Sequence, residues 1–373
     1  MEKFGLKALV INSDTSTVAR ASYRNLWDEA RTQPNMLLLS PEELQNPLCS
    51  KLLDESSEFY KRVCMLGVDE LHLLYQWGRR FRKAFSQIGN IRARLPLIRG
   101  RPISVITVTA TFRKGPTMDG ASKILELVPG RYHLIRRSNM RNDIQLIFRR
   151  MISGLGSSSF PELYWVLESA KITVIFCTTI SLGFRVSAYL WRLAQRSKKK
   201  DLSSRLRLYN SLNWPDFNQV TMGFLEDNPS ASITIATDTL SIGWDSRYTQ
   251  DAIILGEPDN VDDFVQKIGR IGRDRKAVQN PRAFLNYSGS ALDVAKQIVQ
   301  DSKGHTTATD STQDKMDIST AQLLLADCKM KCLDDLYENP SEDMECRCRN
   351  CQVDPPPRNP VVTFSFFPLV ARG

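Results

Sequence analysis

The stretch that decides the fold is Val63-Cys64-Met65-Leu66-Gly67-Val68-Asp69-Glu70-Leu71-His72. Its first six residues are mostly apolar, and they predict one buried strand of a parallel sheet. Two carboxylates, Asp69 and Glu70, follow that strand directly. Ligands of α/β proteins bind at the carboxyl ends of parallel strands, where a carboxylate pair suits magnesium and a nucleotide. One carboxylate of such a pair can hold the metal while the other positions an attacking water, although four letters like these also occur by chance.

Strand candidates recur along the chain, separated by segments of helical length. In the first part, four runs predict buried strands of a parallel sheet: Lys7–Asn12, Asn35–Leu39, Val63–Val68 and Ile103–Val108. In the second part they are Ile172–Cys177, Ser232–Ala236, Ala252–Leu255 and Ala283–Tyr287. This alternation predicts two consecutive α/β units joined by a linker at residues 131–145.

Composition narrows the class of protein. The 373 residues are 42% hydrophobic and 24% charged, which excludes wholesale disorder. The longest apolar runs, such as Ile172–Cys177, are far shorter than the roughly 20 residues of a membrane-spanning helix. Met1 is followed by charged residues and by no apolar signal segment. We expect a soluble intracellular protein with no membrane partner.

Basic charge is concentrated in a few places, although the net charge is only +9. The stretch Leu71–Met118 holds ten Lys and Arg residues and no acidic residue. Such a stretch favours a phosphate-rich partner, although it is also compatible with a solvated helix face. The run Arg196–Lys200 is compatible with a nuclear localisation signal or with a solvated helix end.

Aromatic and basic side chains alternate just after the two carboxylates, in Gln76-Trp77-Gly78 and Phe81-Arg82. Aromatic rings stack on unpaired bases, and arginine neutralises phosphate. The order of the residues therefore predicts that a nucleotide site is joined to a contact with single-stranded nucleic acid.

Cysteines crowd the carboxyl-terminal part: five of the eight lie between Cys328 and Cys351. In a chain without secretory features, such crowding indicates a metal site rather than disulfides.

These motifs resemble the RecQ family of DNA helicases, and they follow the family's order along nearly the whole chain. Asp69-Glu70-Leu71-His72 resembles motif II, and residues 76–82 resemble the aromatic-rich loop. The family usually has Ala at the position of Leu71 and His-Asp at Arg79-Arg80. The other matching segments are Ser40-Pro41-Glu42 before the acidic strand, Thr109-Ala110-Thr111 for motif III, Ala236–Asp245 for motif V, and Gln266–Asp274 for motif VI.

Motif VI reads Gln266-Lys267-Ile268-Gly269-Arg270-Ile271-Gly272-Arg273-Asp274 and matches the family almost letter for letter. Two arginines three positions apart lie on one face of a helix, from which both would point across an interface at the phosphates of a neighbouring lobe. The resemblance implies that Arg273 is the arginine finger and that Arg270 is its companion.

The cysteine cluster resembles the helical zinc module that follows the second lobe of RecQ proteins. The resemblance implies a zinc site formed by Cys328, Cys346, Cys348 and Cys351. The family usually has two residues between each of the last three ligands, whereas Cys346 and Cys348 are separated by one. Cys332 is therefore an alternative ligand.

The resemblance implies two RecA-like parallel-sheet lobes, the first one incomplete, followed by a small zinc-binding module. The expected boundaries are 1–130 for the first lobe, 131–145 for the linker, 146–301 for the second lobe, 302–354 for the module and 355–373 for a tail. The family activity is ATP-dependent 3′-to-5′ unwinding of DNA in recombination and repair, with ATP, Mg²⁺ and Zn²⁺ as cofactors. The expected DNA is single-stranded or carries a 3′ overhang.

The resemblance also assigns roles to individual residues. The implied catalytic residues are Asp69 (also the magnesium ligand), Glu70, His72, Gln266, Arg270 and Arg273. The implied nucleic-acid contacts are Gln76, Trp77, Phe81, Arg82 and Thr237, and the implied links between the lobes are Thr109, Thr111 and Asp245.

One expected element, the phosphate-binding loop, has no match. Such a loop needs a glycine-rich turn with Gly-Lys-Ser/Thr, and none of the 19 glycines precedes a lysine. We therefore expect the chain to begin inside the first lobe. Two interpretations remain: an amino-truncated RecQ-type helicase, or a non-catalytic nucleic-acid-binding protein derived from one.

Overall fold

The structure, a computed structural model, divides into two compact units at residues 1–136 and 137–373. The division falls inside the predicted linker. The structure describes residues 5–74, 84–85, 88–196, 204–227, 232–237, 240, 244–304 and 316–340.

The first unit contains parallel strand pairs and short helices. Strand β1 pairs with β2 and strand β3 pairs with β6, both in parallel, whereas β4 and β5 form an antiparallel hairpin. The strands are β1 (Ala8–Ile11), β2 (Met36–Leu39), β3 (Met65–Val68), β4 (Leu97–Ile98), β5 (Arg101–Pro102) and β6 (Ser104–Thr107). The helices are α1 (Ser13–Ala21), α2 (Leu26–Thr32), α3 (Pro47–Leu52), α4 (Glu58–Arg62), α5 (Ile88–Ala93) and α6 (Pro116–Ile124).

Side-chain caps explain where the early helices of this unit begin. Asn12 and Thr15 form a reciprocal capping box at α1, and the Asn25 side chain accepts a hydrogen bond from Trp27 N at α2. Such caps satisfy amide groups that lack a partner in the first turn of a helix.

The four predicted strands of this unit are confirmed, but the expectation that they are buried is wrong. Along β1, Ile11 is buried and Val10 is 39% exposed; along β3, Val68 is buried and Met65 is 50% exposed. Successive side chains of a strand point to opposite faces, so one face of each pair packs on helices and the other is partly open to solvent. The continuous apolar pattern of these strands predicts two covered faces, and the described helices cover one.

The second unit is built on six parallel strands in the order β7-β12-β11-β8-β10-β9. Apolar clusters cover both faces of this sheet. The strands are β7 (Gln145–Arg150), β8 (Thr173–Cys177), β9 (Leu206–Tyr209), β10 (Ile233–Ala236), β11 (Asp251–Leu255) and β12 (Arg282–Tyr287). The helices are α7 (Tyr164–Glu168), α8 (Ile180–Arg196), α9 (Pro215–Asp227), α10 (Val261–Ile268), α11 (Ala291–Gly304), α12 (Ile318–Leu325) and α13 (Lys329–Tyr337). The predicted α/β class and the four predicted strands of this part are confirmed.

Helices α12 and α13, predicted to belong to a separate module, share the apolar core of the second unit. Leu323, Leu333 and Tyr337 are buried in the same cluster as Phe264 of α10. Tyr337 Oη also donates a 2.6 Å hydrogen bond to Asp262 Oδ1 of α10. The two helices therefore extend the second unit's hydrophobic core. No helix in the described ranges is long and apolar enough to cross a membrane.

Candidate nucleotide and nucleic-acid site

In the first unit, the two carboxylates stand at the carboxyl end of β3, as predicted. The Asp69 carboxylate is exposed and accepts a 2.8 Å hydrogen bond from Glu70 N. Glu70 has a φ of 49°, in the left-handed region that a residue with a β-carbon rarely adopts. Backbone strain of this kind costs on the order of 1–3 kcal/mol and is concentrated at functional sites. The surrounding structure therefore holds the turn that carries the two carboxylates in an unfavourable backbone conformation.

Motifs II and III meet at His72. This side chain is 4% exposed, and its Nδ1 lies 2.9 Å from Thr109 Oγ1 and 3.3 Å from a Glu70 carboxylate oxygen. Thr109 Oγ1 in turn accepts a 3.3 Å hydrogen bond from Thr111 N. Because β3 and β6 are paired, the residues that follow each strand reach the same edge. The result is a continuous polar chain from Glu70 through His72 to Thr109 and Thr111.

Magnesium fits the chemistry of this edge. An exposed carboxylate is the kind of oxygen ligand that Mg²⁺ prefers, and the ion commonly keeps several waters beside one or two such ligands. Asp69 provides that carboxylate, and Glu70 lies one residue away.

In the second unit, the ends of motifs V and VI meet. Arg273 Nη1 donates to Asp245 Oδ1 at 2.8 Å, and Arg270 Nη1 donates to the Trp244 carbonyl at 2.9 Å. The two partners are adjacent in sequence. Both arginines therefore bind the segment that ends motif V.

The expectation that Arg270 and Arg273 share a helical face is wrong. Helix α10 ends at Ile268, and the residues after it form turns that include Gly272, whose φ is +57°. Arg270 is 7% exposed and directed inward, whereas the Arg273 side chain is 37% exposed. A left-handed glycine can reverse the chain where a helix would continue, and this separates the two guanidinium groups.

The other residues predicted in motifs V and VI have different surroundings. Gln266 is half-buried on α10. Thr237 is 8% exposed at the end of β10, where its amide nitrogen donates to the Tyr209 carbonyl at 3.3 Å. These two residues remain candidates for the nucleotide and nucleic-acid site.

Seven predicted site residues lie outside the described residues: Gln76, Trp77, Phe81, Arg82, Cys346, Cys348 and Cys351. Among the predicted zinc ligands, the structure therefore describes Cys328 alone. It caps α13, where its sulfur accepts a 3.3 Å hydrogen bond from Lys331 N. The rival ligand Cys332 follows one turn later, and burial raises the pKa of its thiol. In the parts of the chain that the structure covers, no three His, Cys, Asp or Glu side chains form a metal-binding group.

Sequence reasoning missed Arg141, which lies in the predicted linker. Its Nη2 donates to the carbonyls of Ile271 at 3.0 Å and Gly272 at 2.9 Å, within motif VI. The same guanidinium binds both carboxylate oxygens of Asp143, at 2.9 and 2.7 Å. The partners in motif VI are 130 and 131 residues away, so no local signal in the sequence predicts these contacts.

The environment of Asp143 favours its charged form. Burial is the largest single influence and raises the pKa of this carboxyl. The hydrogen bonds and charge of Arg141, a backbone hydrogen bond and the charge of Arg275 together outweigh burial and lower the pKa below its ordinary value. The Asp143 carboxyl is therefore ionised at neutral pH, and its pairing with Arg141 anchors the turn that carries Arg273.

Comparison with known proteins supports the resemblance. The RecQ ATP-dependent DNA helicase of Haemophilus influenzae is 21% identical over 362 residues, covering 94% of this chain and 52% of that protein. The probable ATP-dependent DNA helicase RecS of Bacillus subtilis is 26% identical over 266 residues, covering 71% of this chain and 48% of that protein. The chain thus spans about half the length of these curated relatives. No family model matches it.

The fold is also found among solved helicase structures. The Mycobacterium smegmatis helicase Lhr, bound to single-stranded DNA and AMP-PNP, superimposes with a TM-score of 0.53 at 14% identity. The match covers 90% of this chain and 43% of that one. At this identity the likeness concerns the fold alone, and the RecQ resemblance rests on the sequence relatives. The predicted resemblance and the RecA-like α/β fold are both confirmed.

Proposed function

We propose that this chain is part of a RecQ-type, ATP-dependent DNA helicase that moves 3′ to 5′ and acts in recombination and repair. One observation carries the proposal: residues matched to helicase motifs, distant in sequence, meet within each unit. His72 of motif II contacts Thr109 of motif III, and Arg273 of motif VI contacts Asp245 of motif V. Sequence relatives that are named RecQ and RecS ATP-dependent DNA helicases support the helicase part of this proposal.

In the first unit, the proposed roles follow the polar chain. Asp69 would hold the magnesium of bound ATP, and Glu70 would orient the water that attacks the terminal phosphate. His72 contacts both Glu70 and Thr109. A shift of the Glu70 carboxylate would therefore be transmitted through the His72 side chain to motif III. ATP would supply the phosphoryl transfer whose free energy drives the conformational cycle.

In the second unit, Arg273 is the proposed arginine finger. Its guanidinium is partly exposed and bound to one exposed carboxylate, so exchanging Asp245 for a phosphate would cost little desolvation. Asp245 is then the resting partner of the finger. Arg270 is too buried for the same role and supports the loop by binding the Trp244 carbonyl. Gln266 is proposed to act with Arg273 on the nucleotide.

The proposed nucleic acid is DNA that is single-stranded or carries a 3′ overhang. Trp77 and Phe81 would stack on bases, while Gln76, Arg82 and Thr237 would contact the strand. The acid-free stretch Leu71–Met118 supports this assignment, because its positive charge favours the phosphate backbone.

A structural zinc ion is proposed for the carboxyl-terminal cysteines. Cys328 at the start of α13 would bind it with Cys346, Cys348 and Cys351, and Cys332 is the alternative ligand. The observation in favour is that Cys328 caps α13 and Cys332 lies one turn into that helix, which packs in the second unit's core. A thiolate site there would have one part held by a fixed helix. A nuclear location is also proposed, on the basic run Arg196–Lys200.

A second function is favoured by one specific observation, the absence of Gly-Lys from this sequence. Without a phosphate-binding loop, Asp69 and Glu70 would have no lysine beside them to bind the terminal phosphates. The chain would then bind nucleic acid without hydrolysing ATP.

Reading the frame upstream of the Met1 codon, together with mapping the transcript's 5′ end, separates the two functions. If a Gly-Lys-Ser/Thr loop lies in frame, the longer protein should hydrolyse ATP in a DNA-stimulated manner. Glu70→Gln should then abolish hydrolysis, whereas the exposed control Glu55→Gln should leave it unchanged. A transcript that starts at Met1, with DNA binding and no hydrolysis, supports the second function. Absence of both binding and hydrolysis contradicts both.

A further inference from the structure

The hairpin formed by β4 and β5 is one of the most exposed parts of the first unit. Residues 97–102 are all exposed, including Leu97 at 63% and Ile98 at 46%. Leu97 is paired with Pro102, and Ile98 with Arg101. Exposed large apolar side chains beside two arginines, one in the turn and one in β5, make a surface that is both cationic and apolar.

The turn itself is strained at an arginine. Arg99 and Gly100 have φ values of 52° and 73°, as a tight hairpin turn of the I′ type requires at both central positions. Glycine adopts this conformation freely, and asparagine or aspartate adopts it more readily than other side chains. The backbone conformation at Arg99 is unfavourable for arginine. A role for the positive charge of Arg99 would explain why an arginine occupies this position.

The charge of the hairpin is not neutralised by the rest of the chain that the structure covers. Arg99 and Arg101 are exposed and form no ion pair with any described residue. The hairpin lies within the acid-free stretch Leu71–Met118. Two exposed arginines on either side of Gly100, in a stretch without acidic residues, attract an external anion such as a phosphate.

The hairpin is separate from the candidate nucleotide site. It enters β6 at the amino end of that strand, whereas Thr109 follows the carboxyl end. The four residues of β6 span about 13 Å at about 3.3 Å per residue, so the two sites lie at opposite ends of the strand.

We propose that the β4–β5 hairpin is a second contact for single-stranded nucleic acid, in which Arg99 and Arg101 bind phosphate groups and Leu97 and Ile98 pack against bases. The inference rests on the proposed nucleic-acid binding of this chain. A single strand offers backbone anions and apolar base faces at neighbouring positions, and the hairpin presents both complementary groups within a few residues. Arginine on phosphate with an apolar side chain against a base step is an established mode of nucleic-acid contact.

The test compares two double variants that remove the same charge. Arg99→Asn with Arg101→Gln removes two positive charges while placing a residue in the turn that tolerates its conformation. Arg20→Gln with Lys51→Gln removes two positive charges from exposed positions on α1 and α3 of the same unit. Circular dichroism and thermal melting establish that both variants are folded.

Binding to single-stranded oligothymidylate is measured between 50 and 200 mM salt. We expect the hairpin variant to lower the slope of log K against log salt by about 1.4, since each phosphate contact on a single strand contributes about 0.7. The control variant should keep the slope of the original chain. Equal slopes for the two variants overturn the hairpin proposal, because net charge alone then explains the effect. If the original chain does not bind at all, the proposed function also fails.

A second arm tests the apolar side chains and the alternative partner. Leu97→Ser with Ile98→Ser should abolish the fluorescence change of a 2-aminopurine base in the strand, whereas the exposed control Val18→Ser should retain it. An unchanged signal overturns the base contact. Vesicles containing phosphatidylserine test lipid as the partner: if the arginine variant loses vesicle binding and keeps its DNA binding, the hairpin is a lipid contact and the proposal is wrong.

Discussion

The guanidinium of Arg273 donates to the carboxylate of Asp245 at 2.8 Å, across 28 residues of sequence. The two side chains are 37% and 70% exposed, so water competes for both. Such pairs contribute between about 0 and 1 kcal/mol to folding. The pair therefore joins motifs V and VI, and breaking it costs little free energy. Such a contact can be exchanged for another partner during function.

Asp245→Asn should change the free energy of unfolding by less than about 1 kcal/mol, because the pair is exposed. Urea denaturation measures this change, with exposed Asp293→Asn on α11 as the comparison. A loss of several kcal/mol would contradict the interpretation of Asp245 as a partner that is easily exchanged.

Tyr337→Phe should destabilise the second unit by roughly 1.5–3 kcal/mol, because it removes the 2.6 Å hydrogen bond that the buried Asp262 side chain accepts from Tyr337. The measurement is urea denaturation of the same chain. Tyr23→Phe is the control, since that side chain is fully exposed and should change stability little. Equal effects of the two variants would show that the hydroxyl does not join α13 to α10.

The Arg141–Asp143 pair predicts a specific dependence of stability on pH. The pKa of Asp143 is lower in the folded chain than its ordinary value of 3.8, so the unfolded chain binds the proton more tightly. The stabilisation is present above about pH 4 and is lost as the pH falls through the folded pKa.

Unfolding free energies of the original chain and of Asp143→Asn, measured from pH 7 to pH 3, test this dependence. The difference between the two should be constant near neutrality and should shrink below about pH 4. A difference that grows on acidification would show that the folded pKa is raised. Hydrogen exchange of the amides at residues 269–273 should increase in the variant, because Arg141 loses the carboxylate that holds it.

Trp77→Ala and Phe81→Ala should each weaken binding to single-stranded DNA by roughly 1–3 kcal/mol per stacked base. Trp214→Ala serves as a matched control, since that indole is 83% exposed and lies in the second unit. Unchanged affinity in the first two variants would mean that the aromatic-rich loop is not a stacking surface.

Metal analysis of the purified chain should find about one zinc per molecule, because four thiolates complete a tetrahedral site. Cys328→Ser should release the metal, and Cys64→Ser, an exposed cysteine outside the cluster, should retain it. A metal-free chain with the melting temperature of the untreated protein would contradict a structural zinc site. Loss of zinc from Cys332→Ser alone would identify Cys332 as the ligand in place of another cysteine.

The central strands of the second sheet could be predicted from sequence because both of their faces are buried. Residues 173–177 and 251–255 are completely buried, so β8 and β11 are short runs dominated by apolar side chains. The outermost strands β7 and β9 were not predicted. They carry Arg149 and Arg207 among apolar residues, a pattern that an outer position in a sheet permits and that resembles a polar segment.

The sequence by itself determined the fold class, the order of the motifs and the types of residue at each candidate site, because these depend on local periodicity and on short spacings. Only the tertiary structure decided which side chains meet. The inward direction of Arg270 follows from a helix that ends before it, and the contact of Arg141 with motif VI joins positions 130 residues apart. The exposure of the β4–β5 hairpin likewise depends on which neighbours pack against it. Packing between distant segments sets all three, and no local pattern in the chain encodes them.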